Sequence, residues 1–270
     1  MGPGGRKMGR FSGTGFTIAM VAMLFGCASS EEPVPRPQVP DDAVEGDFEV
    51  APCSHEAREV EYEAECGTLI VPENRNDPQS RLIALPIKRI PASGDDPAEP
   101  IFWLTGGPGT SNLAYSRVEW FHENHDIVLV GYRGVDGSVY LSCPEIGEAL
   151  ASGLPMMSRE SMANQGNAAA ECAERLIAEG IDLDGYPVLE VVDDMEAARR
   201  ALGYDRINLE SGSYGTRLAQ IYTWRYPDTV HRNAMVAVNP PGRFWWDGAI
   251  LEEHIRRYSG LCAEDEYCSS

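Results

Sequence analysis

Arg206-Ile207-Asn208-Leu209-Glu210-Ser211-Gly212-Ser213-Tyr214-Gly215-Thr216 is the stretch that decides how this chain folds. Arg206 to Leu209 read as a short strand, and Leu218, Ile221 and Tyr222 share one face of a helix that stops before Pro227. A strand that becomes a helix within a few residues has to turn sharply. Residues two before and two after the apex then press on neighbouring backbone and must be small. Gly215 meets that demand fully, whereas Ser211 stands where the pattern more often has Gly. Such a turn presents Ser213 at the carboxyl edge of a sheet. It also sets the Tyr214 N–H at a helix N-terminus, where a developing oxyanion can accept from it. Gly- and Ser-rich strand-to-helix turns also occur in structural loops and phosphate sites, so the pentapeptide needs support from elsewhere in the chain.

Upstream, Ile101 to Leu104 is a continuous apolar run that ends in Thr105-Gly106-Gly107-Pro108-Gly109. A Gly-rich turn at a strand end lets backbone N–H groups approach a substrate carbonyl. Ile127 to Val130 is a second such run, and both suit buried strands of a mainly parallel sheet. Thr68 to Val71 and Leu82 to Ile90 read as an opening antiparallel pair joined by the polar turn Asn74 to Ser80. Ser161 to Glu179 is Ala/Glu-rich and helical, and Val191, Met195, Ala198 and Leu202 recur at helical spacing up to Gly203. Ala234 to Val238 is a further strand. The alternation predicts an α/β fold with helices on both sheet faces. The core is expected over residues 51–246 and the start of a lid or cap over 247–270, with a first lid helix from Asp247 to Tyr258.

The N-terminus reads as a targeting segment. Arg6, Lys7 and Arg10 precede an uncharged, mostly apolar run from Phe11 to Phe25, too short for a comfortable membrane span. It closes on Leu24-Phe25-Gly26-Cys27, which resembles a lipobox, so residues 1–26 are expected to be a lipoprotein signal and Cys27 to be acylated. An ordinary secretory signal with an incidental Cys is the alternative. The Pro-rich acidic stretch 27–50 cannot bury a core and reads as a tether. The expected location is outside the cytoplasm, anchored in a bilayer at the cell surface or in the outer membrane and periplasm. The formal net charge of −20 argues against nucleic acid as a partner, because a phosphate backbone needs a basic surface. Without Cys27 the seven cysteines become an even set, as an exported disulfide framework requires. They fall as neighbours in sequence: Cys53 and Cys66, Cys143 and Cys172, Cys262 and Cys268. Several connectivities stay open. Metal binding is the weaker reading, since no Cys-x-x-Cys or His-x-x-x-His spacing is present.

The order of Cys66 to Pro72, Gly106 to Gly109, Tyr132 to Ser138, Cys143, Cys172, Ala201 to Gly203, Ser213 to Thr216 and Tyr226-Pro227 resembles the tripeptidyl-aminopeptidase branch of the prolyl-aminopeptidase-type α/β hydrolases. The resemblance runs from about Cys66 to Pro240. It implies the α/β-hydrolase fold, a peptide substrate cut near its N-terminus, and no cofactor. It makes Ser213 the nucleophile, gives the oxyanion hole to the N–H groups of Tyr214 and Gly107 (or Gly106), and pairs Cys143 with Cys172. Thr105, Asn112 and Tyr132 depart from the pattern, where His or Asn, Gly, and Asp are common, and bear on substrate detail more than on fold.

A serine needs an adjacent base, and in this fold the order is Ser, then an acid, then His. After Ser213 come only His231 and His254, neither well placed in the pattern; His55, His122 and His125 precede the turn and suit the role less. The resemblance therefore leads us to expect that the lid, the last strands, the acid and the base lie beyond Ser270. An esterase of the same fold and a non-catalytic surface lipoprotein are the competing readings. Epoxide or haloalkane chemistry would want Asp where Ser213 stands. Metabolic labelling with a fatty-acid analogue checks the N-terminal reading: the protein should take up label, and Cys27→Ala should abolish it.

Overall fold

Side chains on a strand alternate between the two faces of a sheet, and that alternation sets the layers here. A computed structural model describes residues 36–242 and 248–268. Residues 1–35, with the expected signal and Cys27, lie outside the described residues, as does Asp247 at the expected start of the lid helix. Among the described residues seven strands form one sheet: β1 (Phe48–Ala57), β2 (Val60–Pro72), β3 (Leu82–Ile90), β4 (Ala98–Leu104), β5 (His125–Val130), β6 (Ile207–Gly212) and β7 (Val230–Val236). Their order is β1-β2-β3-β5-β4-β6-β7. The run β1-β2-β3-β5 is antiparallel and the run β5-β4-β6-β7 is parallel. The sheet is thus mixed, and the parallel half carries the turn at Ser213.

On β5, Val128 and Val130 face one apolar layer while Ile127 and Leu129 face the other. The first layer is closed by α4 (Val188–Ala201), through Val192, Met195 and Ala198, and by α5 (Tyr214–Arg225), through Leu218, Ala219 and Tyr222. The second is covered more thinly among the described residues. Only the one-turn α1 (Val118–Phe121) and its flanking loop, with Tyr115 and Leu113, lie there. Two further helices, α2 (Pro144–Leu150) and α3 (Arg159–Ala178), form a hairpin between β5 and α4. The last helix, α6 (Gly248–Glu264), has no buried residue.

Two expectations need correction. The first strand starts at Phe48, three residues before Ala51, because Phe48 pairs with Leu69 in a long β1–β2 hairpin. Its turn, Arg58-Glu59, has φ of 49° and 66°, a conformation usually signalled by Asn or Gly, so the sequence carried no turn mark there. β7 starts at Val230 rather than Ala234, which places His231 inside a strand. Three disulfides join Cys53 to Cys66, Cys143 to Cys172 and Cys262 to Cys268, each between neighbours in sequence.

The sheet's upper rim is tied by one side chain. Arg133 follows β5, and its side chain is fully buried. It grips Asp194 of α4 with two hydrogen bonds of 2.6 Å each. It also donates to the carbonyls of Glu73 at 2.6 Å and Gly185 at 2.5 Å. Arg75 reaches the same Asp194 at 2.7 Å from the other side. A Cβ at Gly185 would lie 2.2 Å from the Glu73 carbonyl oxygen, so only glycine lets these backbones meet over the guanidinium. Breaking a buried ion pair from one side leaves an uncompensated charge and costs about 3–5 kcal/mol. Arg133→Met should accordingly lower the free energy of unfolding by an amount in that range, read from denaturant unfolding with the disulfides intact.

Candidate active site

β6 ends level with both of its parallel neighbours. Ser211 pairs with Leu104 of β4, and Gly212 pairs with Val236 of β7. Ser213 therefore sits at the shared carboxyl rim of three strands, where α/β sheets place ligands. Its backbone is held at φ 45° and ψ −114°, outside the ordinary regions for a residue with a side chain. Conformations of that kind cost on the order of 1–3 kcal/mol and persist only when the surroundings over-determine them. Here the Ser213 N–H donates to Val236 O at 2.9 Å. The Ser213 carbonyl accepts from the Thr216 N–H at 3.0 Å and from Thr216 Oγ1 at 2.6 Å. Thr216 Oγ1 in turn accepts from the Asn239 N–H at 2.8 Å, tying the chain beyond β7 to the same turn.

The size demand at the turn has a plain geometric cause. A Cβ on Gly215 would stand 2.1 Å from the Leu104 carbonyl oxygen and 2.7 Å from that of Thr105. Ser211 is tolerated because its side chain is directed at β7, where Oγ donates to Ala234 O at 3.2 Å. The Gly-rich turn after β4 lies directly against the apex: a Cβ on Gly106 would be 3.0 Å from Ser213 Cβ. Gly107 has φ 79°, which favours glycine. Among the described residues no backbone acceptor takes the N–H of Gly106, Gly107 or Tyr214 outside regular elements. Burial pushes the phenols of both Tyr132 and Tyr214 up, so each stays a neutral hydroxyl at ordinary pH.

Asn112, which the sequence marked only as a departure from Gly, is the fastener of this turn. It is fully buried. Its Oδ1 accepts from the Thr105 N–H at 2.8 Å, and its Nδ2 donates to Trp103 O and Val130 O at 2.9 Å each. Its backbone N–H donates to Asp136 at 3.0 Å, and the same Asp136 oxygen takes the Tyr132 N–H at 2.8 Å. Both residues were missed as site residues. Nothing in a lone Asn or Asp in a loop tells a buried fastener from a solvated turn. Glu210, three residues before Ser213, is already engaged: it accepts from Tyr115 Oη at 2.5 Å and from Arg117 at 2.6 Å.

The histidines stand elsewhere. His231 lies at the opposite end of β7, five residues from Val236 or roughly 16 Å along the strand, and faces Glu99 at 3.0 Å. His55 is buried against Tyr115 O at 2.8 Å, and burial lowers its pKa. His122 packs on Tyr62, and His125 meets the Glu99 carbonyl. His254 is exposed on α6. One cluster of potential metal ligands occurs among the described residues, Cys143, Glu145 and Cys172, and both its sulfurs are in a disulfide.

A strand-borne serine held at positive φ, faced by a glycine turn at the rim of a parallel sheet, is the geometry of a hydrolase nucleophile turn. The family model of the alpha/beta hydrolase fold matches residues 99–250, and the chain belongs to that family. Among curated proteins it is similar to serine protease Hip1 of Mycobacterium tuberculosis, 28% identical over 220 residues, which covers 75% of this chain and 42% of that protein. It is also similar to the tripeptidyl aminopeptidase of Streptomyces lividans, 29% identical over 209 residues, covering 71% of this chain and 38% of the relative. The chain thus spans about two fifths of the length of these relatives.

The glycine geometry predicts a contrast between two neighbours. Gly215→Ala must displace the β4 backbone and should cost about 1–3 kcal/mol or more, as overpacking does. Gly212→Ala meets nothing nearer than Trp103 at 3.7 Å and should be close to neutral. Denaturant midpoints of the two variants check this.

Proposed function

We propose that the protein is an exported, lipid-anchored serine exopeptidase that releases short peptides from peptide N-termini through an acyl-enzyme, with Ser213 as nucleophile. The observation that carries the reading is the strained backbone of Ser213 at the rim, with Gly106 packed against its Cβ. Ser213 Oγ attacks the scissile carbonyl and gives its proton to a base. The carbonyl oxygen takes the electron pair as an oxyanion, which the N–H groups of Tyr214 and Gly107 (or Gly106) stabilise. Collapse of the tetrahedral adduct expels the amine, which leaves with the proton, and water then hydrolyses the ester on Ser213. Because the donors are backbone groups held by Asn112 and by the first turn of α5, little reorganisation accompanies the charge.

The peptide-bond preference is supported by the names of the two relatives, and the lipid anchor by the lipobox-like Leu24 to Cys27. None of the histidines in the described contacts meets Ser213, so in this reading the proton acceptor comes from chain beyond these residues. The test is release of a chromophore from a tripeptide amide by three proteins: residues Cys27 to Ser270, the complete gene product, and that product with Ser213→Ala. Turnover is expected from the second alone, with the serine variant down by several powers of ten while still folded. Robust turnover by the first would overturn the assignment of the base. Undiminished turnover by the third would remove Ser213 as nucleophile.

A further inference from the structure

The α2–α3 hairpin ends in Ala149-Leu150-Ala151-Ser152-Gly153-Leu154-Pro155-Met156-Met157-Ser158. These residues carry no charge in a chain whose composition is 24% charged. Met157 is 76% exposed, Met156 61% and Leu150 43%, and Met162 on the first turns of α3 is 51% exposed. The tip is shaped rather than loose. The Ser158 N–H donates to Pro155 O at 2.8 Å, Ser158 Oγ caps α3 through the Ser161 N–H, and Gln165 Nε2 holds Met156 O at 3.1 Å. The hairpin base is closed by the Cys143–Cys172 disulfide and by Arg175, which donates to Glu145 at 2.7 Å and to Ser142 O at 2.6 Å. A braced projection that offers apolar side chains to solvent marks an interaction surface.

Its occupant follows from where the N-terminal segment leaves the fold. Arg36 donates to Val135 O at 3.0 Å and to Gly137 O at 3.1 Å, and its guanidinium lies 4.1 Å above the Tyr140 ring. Tyr140 is three residues before Cys143, at the base of the same hairpin. Eight residues lie between Cys27 and Arg36, nine steps of the chain or about 30 Å at full extension. The 13 residues of α3 between Arg159 and Cys172 carry the tip about 20 Å from its base, still inside that span. A lipid on Cys27 therefore holds the tip within reach of the bilayer.

We propose that the uncharged tip, with Leu150, Met156 and Met157, docks into the surface of that bilayer as a second, non-covalent contact beside the acyl anchor; this rests on the lipid-anchor reading of Cys27. Methionine suits the role, because its flexible apolar chain adapts to an irregular surface. A single weak anchor becomes stable when a second signal joins it. With a net charge of −20 the body is repelled by anionic headgroups, so the surface it fits is one of uncharged, zwitterionic lipid. The exposed apolar residues of α6 do not offer the same fit, since Glu252, Glu253, Arg256 and Arg257 are interspersed among them.

The experiment places the full lipidated protein in phosphatidylcholine vesicles that contain a phosphatidylcholine with a diazirine in its acyl chain. After irradiation, adducts are mapped by mass spectrometry, and acylation of Cys27 is read from the N-terminal peptide of the same sample. Lipid adducts are expected on residues 149–158 and should fall roughly fivefold or more in the Met156→Glu, Met157→Glu double variant, because carboxylates resist entry into the apolar layer. An acylated Cys27 with no adducts on the tip, or with adducts on α6 instead, would overturn the docking and leave the anchor standing. A Cys27 without lipid would overturn both. A double variant that keeps its adducts but raises KM for the tripeptide amide would show that the tip faces substrate.

Discussion

The buried guanidinium of Arg133 is the constraint on which the upper rim of this protein depends. Two backbone segments that are remote in sequence, after β2 and before α4, converge with the carbonyls of Glu73 and Gly185 aimed at one point. Such a convergence would be repulsive without a cation, and water has no access to supply hydrogen atoms. Arg133 supplies its donors to Glu73 O, Gly185 O and both oxygens of Asp194, and Glu190 lies 3.2 Å away. Arg75 shares the acid, so two cations face two carboxylates and the cluster is balanced. A lysine could not do this, because its single ammonium lacks the planar fork that a carboxylate accepts in two places.

From that knot the rest of the rim is positioned by short steps along the chain. Tyr132, the residue before Arg133, gives its N–H to Asp136, and the same carboxylate oxygen takes the Asn112 N–H. Asn112 then fixes the ends of β4 and β5 and the start of the glycine turn. The turn bears on Ser213, whose own strain is held by β7 and by Thr216. The strain at Ser213 is thus held directly by one strand and one helix, and the glycine turn beside it by the ends of two further strands. In the proposed reading an oxyanion site needs this rigidity, since donors that had to reorient would lose their advantage over water.

Two of the disulfides brace hairpins. Cys53–Cys66 joins the strands of the β1–β2 hairpin and Cys143–Cys172 closes the base of the α2–α3 hairpin. Each cross-link limits the unfolded states its hairpin can visit. Among the described residues, no helix is long and apolar enough to cross a membrane. In the proposed reading, attachment then rests on the acyl chain and on the hairpin tip rather than on a span.

Read alone, the sequence determined the parallel half of the sheet, the turn at Ser213, the smallness required at Gly215 and the glycine turn at Gly106 and Gly107. These are local matters: apolar runs, breakers and steric demands within a few residues. It did not reveal β1, because the Arg58-Glu59 turn adopts positive φ without the residues that usually mark it. Nor did it reveal that His231 lies in β7 at the wrong end, which follows from the register with β6. Asn112, Asp136 and Arg133 are ordinary loop residues by composition. Only tertiary structure made them fasteners, because a polar side chain acquires that role when burial leaves distant carbonyls and N–H groups with no water and one another's company alone.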